Sequence, residues 1–251
     1  MTSIQLPLPP KQKLKETYEN RFPLYEKGLF EVHRRLREEL KKRSLTPTIK
    51  YRVKSFESYY GKLLRRVRRL PSSAERVELH DLLGSRVVCP FIEDLTAVER
   101  AITEAFDVVE VERKGSEFTA REFGYESTHC LVRVPSDIRE SFHLHESLLW
   151  EVQLRTILQD AWAEVEHELI YKAEFTPFDE PLRRKLAALN ANLTLSDIIF
   201  QEIRDYQRQL QAQLLTRRHG FWKQIHGDGD ARTEEEPLSP PTPIAAEHSG
   251  R

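Results

Sequence analysis

The segment Leu149–Lys172, LWEVQLRTILQDAWAEVEHELIYK, decides the fold because its hydrophobic period changes partway along. Over Trp150–Arg155 apolar and polar residues alternate, as on a strand, so Val152 and Leu154 share one face. The other face carries a carboxylate, an amide and a guanidinium, from Glu151, Gln153 and Arg155. This polar set indicates either a functional surface or the solvated face of an antiparallel strand.

The second half of the segment has the period of a helix. Its apolar residues recur at helical spacing: Ile157, Leu158, Ala161, Trp162, Val165 and Leu169. Thr156 directly precedes them and is a predicted N-cap, since threonine hydroxyls accept from free backbone N–H groups. A strand therefore ends, and a helix begins, near Arg155.

The composition limits the classes of function. The chain has 251 residues, 39% hydrophobic content, 31% charged content and a formal net charge of −1. Such a charge argues against a globally basic nucleic-acid binder but permits a local basic patch. Cys89 and Cys130 are too few for a disulfide framework and lack zinc-site spacing, so we expect buried free thiols.

The N-terminal segment MTSIQLPLPPKQKLK lacks the apolar core of a secretory signal. No apolar run approaches the length that spans a membrane. We therefore expect a cytoplasmic protein.

Further periodic segments extend the fold prediction on both sides of the opening segment. Strands are predicted near 46–53, 87–91, 108–111 and 130–134, and helices at 11–42, 56–70, 94–106 and 182–218. Pro23 is predicted to interrupt the first helix, because a proline inside a helix removes a backbone donor. The fold class that follows is α+β, a mixed sheet of about five strands with flanking helices.

The same periodicity suggests four parts along the chain. We predict an N-terminal helical segment at 1–45, a central domain at 46–176 and a C-terminal helical region at 177–225. From 226 to 251 the composition turns to Gly, Asp, Glu, Ser and Pro, which predicts a disordered tail. The long apolar face of the C-terminal helices predicts homo-oligomer formation.

Three short stretches carry candidate chemistry. Arg52, Lys54 and Ser55 lie at a strand-to-helix turn, where free N–H groups and the helix dipole favour a polyphosphate. Asp81 precedes a buried strand, a place where a turn or cap role is the common alternative. Tyr125 follows a glycine at the start of a strand, where it would either stack on a base or join the core.

Four separated blocks together resemble the RelA/SpoT-type alarmone synthetases, and most closely their small single-domain members. The blocks are RVKSFESYYGKL (Arg52–Leu63), HDLLGSRVVC (His80–Cys89), FGYESTH (Phe123–His129) and EVQLRTILQDAWAEVEHELIYK (Glu151–Lys172). The last block is the most specific, because E-x-Q-x-R-T followed by W-A-x-x-E-H and Y-K is hard to obtain by chance.

The resemblance implies that the domain at 46–176 is a nucleotidyltransferase-like synthetase domain. Its reaction would be a metal-assisted transfer of pyrophosphate from ATP. Asp81 and Glu151 resemble the carboxylates that hold Mg²⁺ among ATP phosphates, a role that suits a cation preferring oxygen ligands. Glu151 also resembles the general base for the 3′-hydroxyl of GDP or GTP. The 3′-oxygen would attack the β-phosphorus of ATP and release AMP, which makes (p)ppGpp.

The resemblance also assigns two sets of binding residues. The ATP-binding set is Arg52, Lys54, Ser55, Lys62 and Arg86. The acceptor-binding set is Lys114, Tyr125, His129, Gln153 and Arg155. Glu126 departs from the pattern, since the family usually has a basic residue there, which leaves the acceptor open. The hydrolase and regulatory domains of long members are not found, so we expect synthesis without degradation.

Two other functions are compatible with the sequence. A toxic relative would pyrophosphorylate adenosine nucleotides or the 3′ end of tRNA, and would act within a toxin–antitoxin pair with an antitoxin partner. The basic helix faces at 34–43 and 62–69 would suit tRNA, whereas the near-neutral net charge does not favour it. A non-enzymatic nucleotide-binding regulator is the third hypothesis, which intact Asp81, Arg86, Tyr125 and Glu151 argue against.

Overall fold

The structure is a computed structural model that describes residues 3–71, 73–114, 127–171 and 180–226. Its strands are β1 (Ser3–Gln5), β2 (Thr48–Val53), β3 (Arg76–Glu78), β4 (Leu83–Cys89), β5 (Val108–Lys114), β6 (Ser127–Arg133) and β7 (Leu149–Thr156). Its helices are α1 (Lys11–Lys42), α2 (Phe56–Val67), α3 (Ile92–Ala105), α4 (Ser136–Ser141), α5 (Ile157–Tyr171) and α6 (Glu180–His226).

A five-stranded mixed sheet forms the centre of the fold, in the order β2-β4-β7-β6-β5. Strands β4 and β7 are parallel, and the other neighbouring pairs are antiparallel. The parallel pair is possible because α3, β5 and β6 lie between its strands in the sequence and return the chain. The predicted α+β class with a sheet of about five strands is confirmed.

One face of the sheet packs against apolar helices. Helix α1 buries Leu29, Val32 and Leu36 completely, and α3 buries Val98 and Ile102. Burying each such side chain contributes about 1.5–3 kcal/mol. The alternating residues of β7 that the sequence assigned to the core, Val152 and Leu154, are buried as predicted.

Trp150 of β7 is fully buried on the core side and fixes the parallel pair. Its indole N–H donates to the hydroxyl of Ser85 on β4 at 2.9 Å, which satisfies both buried polar groups. The polar set of β7 must then lie on the opposite face, because strand side chains alternate.

Several predicted boundaries were wrong. Helix α1 continues through Pro23 without a break, since Tyr18, Tyr25 and Leu29 on either side are buried and their packing offsets the lost hydrogen bond. Strands β1 and β3, which pair with each other, lie outside the strand ranges predicted from the sequence. Helix α4 lies outside the helix ranges predicted from the sequence.

The chain divides into two compact units, the first ending at Glu202 and the second beginning at Ile203. The first unit holds both sheets. The second contains the last part of α6 among its described residues. The four-part division proposed from the sequence stays a prediction, and its tail from 227 onward lies outside the described residues. None of the described helices combines the length and apolar character that crossing a membrane requires.

Candidate active site

Polar side chains form two rows across the second face of the sheet. The first row contains one residue from each of four neighbouring strands, aligned by their cross-strand register: Lys50, Arg86, Gln153 and His129. In the second row Gly84 lies between Arg52 on β2 and Glu151 on β7. Because Gly84 has no side chain, the second row has a gap flanked by a cation and a carboxylate.

A cavity of about 260 Å³ opens over these rows. Six predicted site residues line it: Arg52, Lys54, Asp81, Arg86, Glu151 and Gln153. Five further residues complete the lining: Lys50, Tyr51, Gly84, Ser85 and Glu164. Asp81 and Glu151 are far apart in the sequence but share this cavity, because β4 and β7 are parallel neighbours.

Asp81 lies just before β4 and accepts hydrogen bonds from two lysines. Lys54 Nζ and Lys62 Nζ both donate to its Oδ2 atom, the second at 2.5 Å. Burial raises the pKa of Asp81, but the hydrogen bonds and charges of Lys54 and Lys62 outweigh it, so the pKa lies below its usual value. The carboxylate is therefore ionised at neutral pH.

The backbone around Lys54 fixes the position of this ammonium group. Its N–H donates to the carbonyl of Leu82 at 2.9 Å, and its carbonyl accepts from the hydroxyl of buried Tyr18. Directly after it, Ser55 is the N-cap of α2, and its hydroxyl accepts from the N–H of Ser58. The turn that carries Lys54 is thus held from both sides.

Glu151 has a hydrogen-bonding neighbour on each carboxylate oxygen. Nδ1 of His129 lies 3.1 Å from Oε1, and Nε2 of Gln153 donates to Oε2 at 2.9 Å. His129 is buried, while Glu151 keeps partial access to the cavity. These contacts fix the carboxylate, as a general base or a metal ligand requires.

Sequence reasoning missed three charged residues beside the cavity. Lys50 Nζ donates to Oδ2 of Asp160 at 2.7 Å, and Arg86 contacts both Asp160 and Glu164. Asp160 and Glu164 are four residues apart on α5, a spacing that places two carboxylates on one helix face. That spacing could have identified the two carboxylates as a pair. No local sequence pattern indicates that they contact Lys50 of β2 and Arg86 of β4.

The remaining predicted residues have different placements. Lys62 and His129 do not line the cavity. Lys62 contacts Asp81 and His129 contacts Glu151, and both of these carboxylates do line it. Arg155 is buried beside Asp160, at 3.6 Å, and does not line the cavity. The backbone of Lys114 pairs with Ser127, while its side chain is outside the described set. Tyr125 and Glu126 also lie outside the described residues.

Arginine and lysine side chains bind phosphate oxygens, and carboxylates bind Mg²⁺, so the lining of this cavity suits a nucleotide polyphosphate. The family model described as "Region found in RelA / SpoT proteins" matches residues 51–176. The chain therefore belongs to the RelA/SpoT family, as the four sequence blocks indicate.

Two proteins of similar sequence are GTP pyrophosphokinases of Bacillus subtilis (strain 168). The chain is 34% identical over 123 residues to GTP pyrophosphokinase YwaC of Bacillus subtilis (strain 168). This alignment covers 49% of this chain and 57% of that protein. It is 26% identical over 163 residues to GTP pyrophosphokinase YjbM of the same strain, and the alignment covers 64% of this chain and 75% of that protein.

A solved structure supports the fold. The crystal structure of small alarmone synthetase 2 from Bacillus subtilis matches with a TM-score of 0.59 and 26% identity, and the match covers 75% of this chain and 98% of that chain.

Proposed function

We propose that this protein transfers pyrophosphate from ATP to the 3′-hydroxyl of GDP or GTP, making (p)ppGpp and releasing AMP. The single observation that carries the proposal is the convergence of Asp81 and Glu151 on one cavity lined by Arg52, Lys54 and Arg86. Family membership and similarity to two proteins named GTP pyrophosphokinase support the same reaction.

The proposed chemistry is one displacement at phosphorus. Glu151 takes the proton of the acceptor 3′-hydroxyl, and the 3′-oxygen forms a bond to the β-phosphorus of ATP. The bond between that phosphorus and the α–β bridging oxygen breaks, and AMP leaves. Arg52, Lys54 and Arg86 bind the phosphate oxygens, so the cations stabilise charge in a reaction that is mostly positioning and electrostatics.

A divalent cation fits the donor set. The described residues contain no group of three or more His, Cys, Asp or Glu side chains arranged to hold a metal. Asp81 and Glu151 nevertheless offer carboxylate oxygens in one cavity, and Mg²⁺ commonly uses one or two carboxylates plus substrate phosphates. We propose that these two residues bind Mg²⁺, which would neutralise phosphate charge when bound.

Ionised Asp81 accepts hydrogen bonds from Lys54 and Lys62. We propose that the two ammonium groups turn to the phosphates when ATP and Mg²⁺ enter, which leaves the carboxylate to the metal. The exchange keeps every charge paired before and after binding, so neither state contains an isolated buried ion.

The test is an acceptor assay with purified protein. Protein, MgCl₂ and ATP labelled at its terminal phosphates are incubated separately with GDP, GTP, AMP and deacylated tRNA, and products are separated by chromatography. Label on GDP or GTP, with AMP released in equal amount, is expected for wild type, and Glu151→Gln should form this product at least about a hundredfold more slowly. Label only on AMP or tRNA would reject this proposal in favour of the toxin-like alternative with its antitoxin partner.

We also propose a homo-oligomer in the cytoplasm. The helix of the second unit exposes apolar side chains at spacings of three and four residues: Ile203, Tyr206, Leu210 and Leu214. Such a stripe is the pattern by which helices pair. Sedimentation equilibrium is expected to give a multiple of the 29.5 kDa chain mass, and Leu210→Glu to lower it.

A further inference from the structure

Asp160 on α5 binds cations from three adjacent strands. Its carboxylate accepts from Lys50 of β2 at 2.7 Å and from Arg86 of β4 at 3.3 Å, and Arg155 Nη1 of β7 lies 3.6 Å away. The Asp160 side chain is only 7% exposed, which distinguishes this contact from a surface ion pair.

The position of Asp160 relative to the sheet is fixed by the cap of its helix. The N–H of Gln159 donates to the hydroxyl of Thr156 at 3.0 Å, and the N–H of Thr156 donates to the side-chain oxygen of Gln159 at 2.8 Å. This reciprocal pair joins the end of β7 to the first turn of α5. Asp160 follows directly, so its carboxylate is held above the first row of polar residues.

Charge explains why the cluster remains ordered. Burial raises the pKa of Asp160, but hydrogen bonding to Lys50 and the charges of Lys50, Arg86 and Arg155 outweigh it, and the carboxylate stays ionised. Asp160 and Glu164, which also accepts from Arg86, place two negative charges among three positive charges that would otherwise repel one another. The array keeps a net positive charge for a ligand, with its cations held in place.

Two of the three cations reach the cavity. Lys50 and Arg86 line it, whereas Asp160 itself does not. Asp160 therefore can act on a bound polyphosphate only through these two side chains. The site residues that the family resemblance supplied include Arg86 but neither Lys50 nor Asp160.

We propose that Asp160 is a positioning residue that holds Lys50 and Arg86 for the charge developing on the transferred phosphoryl group. The inference rests on the proposed pyrophosphate transfer. Electrostatic stabilisation depends on groups fixed before the reaction, so loss of Asp160 should lower kcat more than it changes KM for ATP. A purely structural role would lower the amount of folded enzyme and leave kcat per folded molecule unchanged.

The experiment is a double-variant cycle on the full chain. Wild type, Asp160→Asn, Lys50→Gln and the double variant are assayed for kcat and for KM of ATP with saturating GDP or GTP. Each single change is expected to lower kcat at least about tenfold, with KM changed less than about threefold, because misplaced groups cost rate even at a distance. The double variant should resemble Asp160→Asn, since the loss of Asp160 already includes the misplacement of Lys50 and the two effects are then not additive.

Two measurements keep the test decisive. The Lys50 side chain is 56% exposed, so Lys50→Gln leaves no cavity in the core, and thermal denaturation measures the stability of both single variants. Asp137→Asn is the matched control, because Asp137 also pairs with an arginine, Arg35, but lies on α4 outside the cavity.

The outcomes are separable from failure of the proposed function. Active wild type, with kcat of folded Asp160→Asn within about twofold, or with single effects that multiply in the double variant, would overturn the positioning role. Wild type inactive with every acceptor would reject the proposed reaction, and the inference with it.

Discussion

Nδ1 of His129 lies 3.1 Å from Oε1 of Glu151, although the two residues belong to different strands, β6 and β7. In the register of these strands His129 is opposite Gln153, so its ring lies diagonally across from Glu151. Diagonal neighbours remain within reach of long side chains. Glu151 is thereby contacted from its own strand and from the next, and its carboxylate has a defined direction into the cavity.

The first prediction concerns the charge of this carboxylate. Glu151→Gln keeps the shape and a hydrogen-bonding side chain but removes the base and one proposed metal ligand. We expect kcat to fall by about 10²–10⁴-fold, the usual contribution of general base catalysis. Activity assays and circular dichroism on the same preparation check this. Glu140→Gln on exposed α4 serves as the control, and comparable loss in that variant would contradict a specific role.

The second prediction concerns the gap at Gly84. A Cβ atom there would meet only the carbonyl oxygen of Arg52, at 3.8 Å, an ordinary contact. Gly84→Val should therefore fold, since β-branched residues suit strands, yet its side chain would occupy the space between Arg52 and Glu151. We expect KM for ATP to rise at least about tenfold, the cost of removing one or two phosphate contacts.

Gly61→Ala is the control for this exchange, because a Cβ at Gly61 on α2 meets nothing within 4 Å. It should leave KM unchanged and stabilise the helix by up to about 1 kcal/mol. Unchanged KM in Gly84→Val would mean that ATP does not use this part of the cavity.

The third prediction is a pH dependence of stability at Asp81. Lys54 and Lys62 hold its folded-state pKa below the usual value, despite burial. The carboxylate therefore stabilises the fold above its unfolded pKa of about 3.9, and this contribution is lost as pH falls through the folded pKa. Asp81→Asn should lower the free energy of unfolding by about 1–3 kcal/mol at pH 7 and by less at pH 3. Urea unfolding at both pH values measures this, and an equal loss at both would exclude the ionic explanation.

The sequence predicted what local pattern controls. The junction at Thr156 was found because alternation changes to helical spacing there, and the core assignment of Val152 and Leu154 follows from the same alternation. Asp81 and Glu151 came from the family resemblance, and no local pattern would have paired them. The parallel register of β4 and β7 is what brings them to one cavity.

The ionic cluster at Asp160 could not be predicted in the same way. Its partners Lys50 and Arg86 belong to strands β2 and β4, far from Asp160 in the sequence. The local sequence around each of the three residues is also that of an ordinary charged surface residue. The continuity of α1 through Pro23 was missed for a related reason, since tertiary packing of Tyr18 and Tyr25 overrides the local cost of proline.

The last prediction reverses the sign seen at Asp81. Asp197 on α6 is buried, and its Oδ2 atom accepts from the hydroxyl of Thr156 at 2.6 Å. Burial raises its pKa, and the hydrogen bond from Thr156 lowers it only in part, so the folded-state pKa lies above the usual value. Ionisation of Asp197 therefore destabilises the folded state. This cost is absent below the unfolded pKa of about 3.9 and reaches its full size once the pH has risen above the folded-state pKa.

Asp197→Asn should remove that cost while its amide oxygen still accepts from Thr156. We expect the variant to be more stable than wild type by on the order of 1 kcal/mol at pH 7, with the gain vanishing near pH 3. Trp162 lines the same small cavity as Asp197, so tryptophan fluorescence during urea unfolding is a suitable probe. A variant less stable than wild type at pH 7 would show that the charge itself is needed where α6 meets the end of β7, because the hydrogen bond is retained in both proteins.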